Sequence, residues 1–251
     1  MKQCNKDCSV ENPLEQIRLL YTELAQNPEK IFGWGKGKEN ASKLGYADEW
    51  LNRLPDTAWE SAAAVGNPFS LGPIDAGETV IDIGCGAGTD ACIAAILVGK
   101  EGKVFGIDCT PAMIEKAREN ANVSRLHQAV FQEAEMTELP LPAYTADVII
   151  SNGAINLAKD KDAVLAEAYR VLKPGGRLQI ADMVRDTLTG DTTCCSSEES
   201  WADCVSGTLE PNTFLSMLTK AGFVDVELVG FTDYRTAANT TGALFKAIKP
   251  A

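Results

Sequence analysis

The stretch Thr79-Val80-Ile81-Asp82-Ile83-Gly84-Cys85-Gly86-Ala87-Gly88 decides the fold. Its first five residues are a short apolar run typical of a buried strand, and glycines at every second position follow directly. A segment rich in Ala, Ile and Leu then predicts a helix over about 89–98. Glycines at such a turn let the backbone approach a ligand closely, and the start of the helix supplies free N–H groups. The stretch therefore predicts a strand, a ligand-binding turn and a helix.

Strands and helices continue to alternate after this turn, as in a parallel sheet with helices on both faces. Strands are predicted at 102–108, 147–151 and 177–182, and helices at about 111–122 and 161–172. The sequence thus predicts an α/β fold, with a Rossmann-like, doubly wound and mostly parallel sheet over residues 76–184.

The flanking segments are predicted to cover this core. Residues 1–75 form an N-terminal helical cap with helices at about 13–27 and 40–54, each marked by apolar residues at helical spacing. Residues 185–251 form a C-terminal capping segment. It contains a polar loop over 185–200, a helix over 211–221 and closing strands at 224–229 and 243–248.

Two acidic residues indicate what the glycine turn binds. Asp108 ends the second strand, 20 residues after Gly88, where an acid accepts hydrogen bonds from ribose hydroxyls. The turn itself reads D-x-G-x-G-x-G, and Asp82 within it would repel a pyrophosphate. A carboxylate there suits a positive group such as an amino-acid ammonium. A cationic, ribose-containing ligand without phosphate points to S-adenosyl-L-methionine, and another nucleotide on a Rossmann-like domain is the alternative.

These segments resemble the class I S-adenosylmethionine-dependent methyltransferases. The matching runs are Val80–Gly88, Val104–Ala112, Glu135–Pro140, Asp147–Asn152 and Val171–Gly176. The resemblance implies contacts to the methionine part of the cofactor from Asp82, Gly84, Cys85 and Gly86. It implies contacts to the ribose from Asp108 and Cys109, with Met113 nearby. The adenine is implied to lie against Glu135 and Met136. Asn152 is implied to close the site. Met113 and Met136 have the alternative of being plain core residues.

The outer segments are similar to the arsenite methyltransferase family. The runs that carry this similarity are Leu44–Tyr46, Gly66–Pro68, Ser151–Leu157 and Cys204–Leu209. In that family, the resemblance implies, three cysteine thiolates hold trivalent arsenic, whose lone pair attacks the sulfonium methyl group. This chain has Val65 and Gly153 at the first two of those positions, and it keeps only Cys204.

Because of this departure the sequence does not fix the methyl acceptor, and three functions are considered. Cys194 and Cys195 lie just upstream of Cys204 and are candidates to replace the missing thiolates, so these three cysteines and Asn152 are the expected catalytic residues. A small organic acceptor methylated at O, N, S or C in an apolar pocket is the alternative. A cofactor-binding module that regulates another protein is a third possibility.

Composition excludes several other classes. With 23 Lys and Arg against 35 Asp and Glu, the net charge is −12, which argues against nucleic acid and against anionic membrane surfaces as partners. No apolar run is long enough to cross a membrane, and the N-terminus does not resemble a secretory signal. We therefore expect a cytoplasmic monomer or weak dimer with reduced thiols. With His127 as its single histidine, the chain is a poor candidate for a Ser-His-Asp triad, and no metal site is expected.

Overall fold

A computed structural model describes residues 13–186 and 207–251, and within them seven strands form one sheet in the order β3-β2-β1-β4-β5-β7-β6. The first five strands are parallel, while β7 runs antiparallel to both of its neighbours. The strands are β1 Thr79–Ile83, β2 Lys103–Asp108, β3 Ala129–Glu133, β4 Ala146–Asn152, β5 Leu172–Arg185, β6 Val224–Phe231 and β7 Thr240–Ile248. The predicted α/β class with a doubly wound, mostly parallel sheet is confirmed.

The strand order fixes where a ligand can bind. From β1 the chain moves outward to β2 and β3, and it then returns to place β4 on the other side of β1. A crevice opens where the direction of winding reverses, at the carboxyl ends of these strands. The helices that cover the sheet are α5 Thr89–Val98, α6 Pro111–Val123, α7 Lys161–Val171 and α8 Pro211–Lys220.

The N-terminal segment is more broken than predicted. Helix α1 spans Pro13–Gln26, close to the predicted 13–27, but the helix predicted over 40–54 is wrong. Two short helices stand there, α2 Gly37–Lys43 and α3 Asp48–Arg53, and a third, α4 Asp56–Glu60, follows. The break occurs at Gly45, whose φ of 81° lies in the left-handed region that ends a helix.

The C-terminal strands appear as predicted, with shifted limits. Strand β5 begins at Leu172 instead of 177, because Lys173–Gly176 form an irregularity within the strand that includes a left-handed Gly175. Most of the predicted loop over 185–200 lies outside the described residues. None of the helices formed by the described residues is both long enough and apolar enough to cross a membrane.

Candidate active site

A cavity of about 390 Å³ opens at the carboxyl ends of β1, β2 and β4. Helix α1 and the segment 61–64 form part of its wall. The structure brings every predicted cofactor-binding residue to this cavity: Asp82, Gly84, Cys85, Gly86, Asp108, Cys109, Met113, Glu135, Met136 and Asn152. Its volume is in the range that holds a small-molecule cofactor.

The glycine turn has a conformation that side chains disfavour. Gly84 and Gly86 have φ values of 74° and 50°, in the left-handed region. A Cβ added to Gly84 would lie 2.2 Å from the Cβ of Ala154, whereas a Cβ added to Gly86 would meet nothing within 4 Å. Gly84 therefore lets two segments of the protein meet, and Gly86 leaves open space on the side of the cavity that it lines.

Asp108 organises the turn from the end of β2. Its Oδ2 accepts a hydrogen bond from the backbone N–H of Gly86 at 2.9 Å, and its Oδ1 accepts one from the N–H of Thr110 at 2.8 Å. Burial raises the pKa of Asp108, while these backbone donors act in the opposite direction. The Thr110 hydroxyl and the N–H of Cys109 also lower the pKa of this carboxyl group, and Asp108 lines the cavity.

Asp82 has an unsatisfied oxygen in the cavity wall. Its side chain is 1% exposed; the carboxylate accepts the N–H of Ala91, yet its Oδ2 has no partner. Burial, together with the charges of Asp90 and Asp108, raises the pKa of Asp82 well above its usual value. A buried carboxylate oxygen without a donor is costly, and a cationic ligand group would satisfy it. With the open space at Gly86, this is the fit expected for S-adenosyl-L-methionine.

Asn152 is the centre of a buried hydrogen-bond network. Its Nδ2 lies 2.9 Å from the hydroxyl of Tyr46, from the carbonyl oxygen of Gly66 and from Oδ2 of Asp90. Its Oδ1 accepts the N–H of Val65 at 3.0 Å. The side chain thus ties the end of β4 to three other segments, which favours a positioning role for Asn152 and leaves the predicted catalytic role a prediction.

Asn152→Ala should lower the free energy of unfolding by about 2–3 kcal/mol, because it leaves buried donors and acceptors unpaired. Urea unfolding followed by circular dichroism measures this. Asn122→Ala, on the exposed side of α6, is the control and should change stability little. A variant as stable as the wild type would show that Asn152 does not hold the network together.

The sequence analysis missed several lining residues. Tyr46 was noted only as part of a family run, and Asp90 was not singled out, although an acid in the first turn after a glycine loop is a recognisable signal. Ile17 and Tyr21 of α1 also line the cavity. Trp59 of α4 lines the cavity as well.

The cysteines of the described cofactor region are unsuited to thiolate chemistry. Burial raises the pKa of Cys109 to about 11 and of Cys92 to about 12, and it raises that of Cys85 well above its usual value. All three thiols are therefore protonated near neutral pH, and only thiolates bind metalloids well. The predicted catalytic cysteines lie outside the described residues: Cys194, Cys195 and Cys204.

The two positions where this chain lacks the arsenite methyltransferase cysteines are neighbours in space. Gly153 lines the cavity, and a Cβ added to it would lie 3.1 Å from Cγ1 of Val65. Val65 is buried in an apolar cluster that includes Ile17 and Leu157. Of these two positions only Gly153 is among the described residues that line the cavity, and Val65 packs beside it.

Fold and site together define a class I S-adenosylmethionine-dependent methyltransferase. The family described as "Methyltransferase domain" matches residues 74–222, so the chain belongs to that family, whose methyl donor is S-adenosyl-L-methionine.

Within the class, the chain is similar to arsenite methyltransferases. It is 38% identical over 188 residues to the arsenite methyltransferase of Halobacterium salinarum, which covers 75% of this chain and 48% of the relative. A solved arsenic(III) S-adenosylmethionine methyltransferase from Chlamydomonas reinhardtii superimposes with a TM-score of 0.57 and 27% identity, covering 84% of this chain and 73% of that one. The chain spans about half the length of the curated relatives it matches.

A second group of relatives is named for a different activity. The demethylmenaquinone methyltransferase of Oceanobacillus iheyensis is 32% identical over 117 residues, which covers 47% of this chain and 49% of the relative.

Proposed function

We propose that this protein transfers a methyl group from S-adenosyl-L-methionine to a soft acceptor, trivalent arsenic or a thiol. The observation that carries the proposal is the 38% identity to an arsenite methyltransferase over 188 residues, and no histidine is among the described residues that line the cavity. His127 is exposed and precedes β3, at the opposite end of the sheet from the cavity. An alcohol needs a base to remove its proton, whereas trivalent arsenic attacks through a lone pair and carries no such proton.

The residues on the cofactor side have distinct proposed tasks. Asp82 takes the ammonium group with its unpartnered oxygen, and Asp108 accepts hydrogen bonds from the ribose hydroxyls. Glu135 and Met136 lie where the adenine is expected. S-adenosyl-L-methionine, when bound, supplies an electrophilic methyl group. The protein then contributes alignment of the acceptor and exclusion of water.

Cover for the site is proposed to come from both flanking segments, residues 1–75 and 185–251. Helix α1 supports the first part: Ile17 and Tyr21 line the cavity, and Nε of Arg18 donates to the carbonyl oxygen of Cys109 at 3.0 Å. The second segment contains the three cysteines proposed to hold a soft acceptor, Cys204 with Cys194 or Cys195.

Arsenite methylation with glutathione as reductant and thiol tests the proposal. Wild type should turn over, and Cys204→Ser should lose at least about tenfold in rate, because a serine hydroxyl is a hard and weak ligand for arsenic. Cys92→Ala is the matched control, since that thiol is buried in α5 and does not line the cavity. Equal rates for wild type and Cys204→Ser would contradict a role for Cys204.

Methylation of a small organic acceptor is the second candidate function. The absence of the family's thiols at Val65 and Gly153 favours it, as does the similarity to demethylmenaquinone methyltransferases. Under this alternative neither the wild-type protein nor Cys204→Ser methylates arsenite or a thiol, although both bind the cofactor. Assaying hydroquinone and phenol acceptors with the same preparations then distinguishes the two candidates.

A further inference from the structure

Two buried acidic residues are neighbours in the cavity wall, since the N–H that Asp82 accepts belongs to Ala91, the residue after Asp90. Asp82 belongs to β1 and Asp90 to the first turn of α5, and their side chains are 1% and 8% exposed. The negative charge of Asp90 acts directly on Asp82. Among the described residues, no lysine or arginine contributes to the electrostatic environment of either group. Two like charges this deeply buried cannot both persist without compensation.

The positions of both carboxyl groups are fixed. Oδ1 of Asp90 accepts the Tyr46 hydroxyl at 2.8 Å, and its Oδ2 accepts Nδ2 of Asn152 at 2.9 Å. Asp82 is held by the N–H of Ala91, and its Oδ2 is buried without a hydrogen-bond partner. Neither group can turn toward solvent to escape the other, so the repulsion has to be relieved by a proton or by a cation.

Lys159 lines the same cavity, but no lysine is among the groups that shift the pKa of the pair. Asp108 at the end of β2 and Tyr46 ahead of α3 act on the pair, and Asp82 in turn raises the pKa of Cys85 and Cys92. All are acids, and burial raises the pKa of Asp90 to about 6. Hydrogen bonds from Asn152 and Tyr46 act in the opposite direction, and the pKa of Asp82 is raised further.

We propose that Asp82 and Asp90 share one proton in the free protein, release it when the cationic cofactor binds, and so favour S-adenosyl-L-methionine over S-adenosylhomocysteine. Both molecules carry an ammonium group, but only the first has a positively charged sulfur. After methyl transfer that charge has left with the methyl group, and the sulfur remains as a neutral thioether. The pair then lacks one compensating charge and takes a proton back, which weakens retention of the product. Asp90 acts here as a positioning and selectivity residue.

Calorimetric titration of both ligands in buffers of different ionisation enthalpy tests this without any acceptor. Wild type should release more protons on binding S-adenosyl-L-methionine than on binding S-adenosylhomocysteine. Its affinity for the former should strengthen as pH rises through about 6, since the ionised pair binds the cation. Asp90→Asn should abolish most of the proton release and reduce the preference for the charged ligand about tenfold.

Two further variants make the outcome unambiguous. Asp75→Asn removes the same charge at an exposed site outside the cavity and should behave as wild type. Tyr46→Phe keeps both carboxyl groups, so it should keep the proton release even where Asp90→Asn proves unstable. Equal proton release by wild type and Asp90→Asn, or none from wild type and Tyr46→Phe, overturns the proposal. Because no acceptor is present, these results are independent of the proposed arsenic or thiol activity.

Discussion

Replacing Asp108 by alanine is expected to weaken binding of S-adenosyl-L-methionine at least about hundredfold. The side chain closes the β2 end of the cavity and holds the N–H groups of Gly86 and Thr110. Its loss would remove the proposed acceptors for two ribose hydroxyls and release the glycine turn from its anchor. Hydrogen bonds to a charged group contribute about 1.5–3 kcal/mol each, so two of them correspond to about two orders of magnitude or more. Isothermal titration calorimetry with the purified protein measures the dissociation constant directly.

Asp108→Asn provides the graded comparison. The amide keeps one acceptor oxygen but replaces the other with a donor, so its affinity should fall between those of wild type and alanine variant. Far-ultraviolet circular dichroism establishes that both variants are folded. An alanine variant that binds the cofactor as tightly as the wild type would show that Asp108 does not contact it.

The cofactor half of the site could be predicted because its residues are local in sequence. A strand, a glycine turn and a helix occupy the continuous run Thr79–Val98, and the parallel sheet brings Asp108 alongside with no further information needed. The spacing of motifs along the chain is sufficient there, since parallel strands align their carboxyl ends at one edge of the sheet. Glu135 and Asn152, which the family resemblance implies as site residues, also line the cavity.

The hydrogen-bond network of Tyr46, Asp90 and Asn152 could not be predicted in the same way. Tyr46 and Asp90 are 44 residues apart and meet at 2.8 Å, but nothing in either local sequence indicates the partner. Their contact depends on how the broken N-terminal segment folds back over the sheet. The apolar spacing over 40–54 predicts one helix along that path, whereas the left-handed conformation at Gly45 divides the segment into two.

Prediction of the acceptor-binding part of the site is limited by the two missing cysteine positions. The sequence indicates which thiolate positions are absent, and the structure adds that a side chain at Gly153 would meet Val65, which is buried beside the cavity. Substituting either position alone therefore changes the packing of the other. For this reason the acceptor is better tested by chemistry, with arsenite, thiols and hydroquinones, than by restoring a single cysteine.

Gly84→Ala is expected to lower the free energy of unfolding by about 2–5 kcal/mol. An alanine at a φ of 74° incurs about 1–2 kcal/mol of left-handed strain. Its Cβ would also lie 2.2 Å from the Cβ of Ala154, and overpacking of this kind costs about 1–3 kcal/mol. Because Ala154 follows the end of β4, relief of the clash would move the segment after β4 away from the glycine turn. Urea unfolding followed by circular dichroism gives the size of the loss.

Gly77→Ala separates the two contributions. Gly77 has a φ of 87° and lies in an exposed turn before β1, and a Cβ there meets nothing within 4 Å. It should therefore show the left-handed strain alone, and the difference between the two variants, about 1–3 kcal/mol, measures the contact with Ala154. Gly86→Ala should resemble Gly77→Ala in stability, because its Cβ also meets open space, yet it should bind S-adenosyl-L-methionine more weakly since it faces the cavity. Equal stabilities for Gly84→Ala and Gly77→Ala would mean that the turn and the segment after β4 do not pack as tightly as the contact with Ala154 requires.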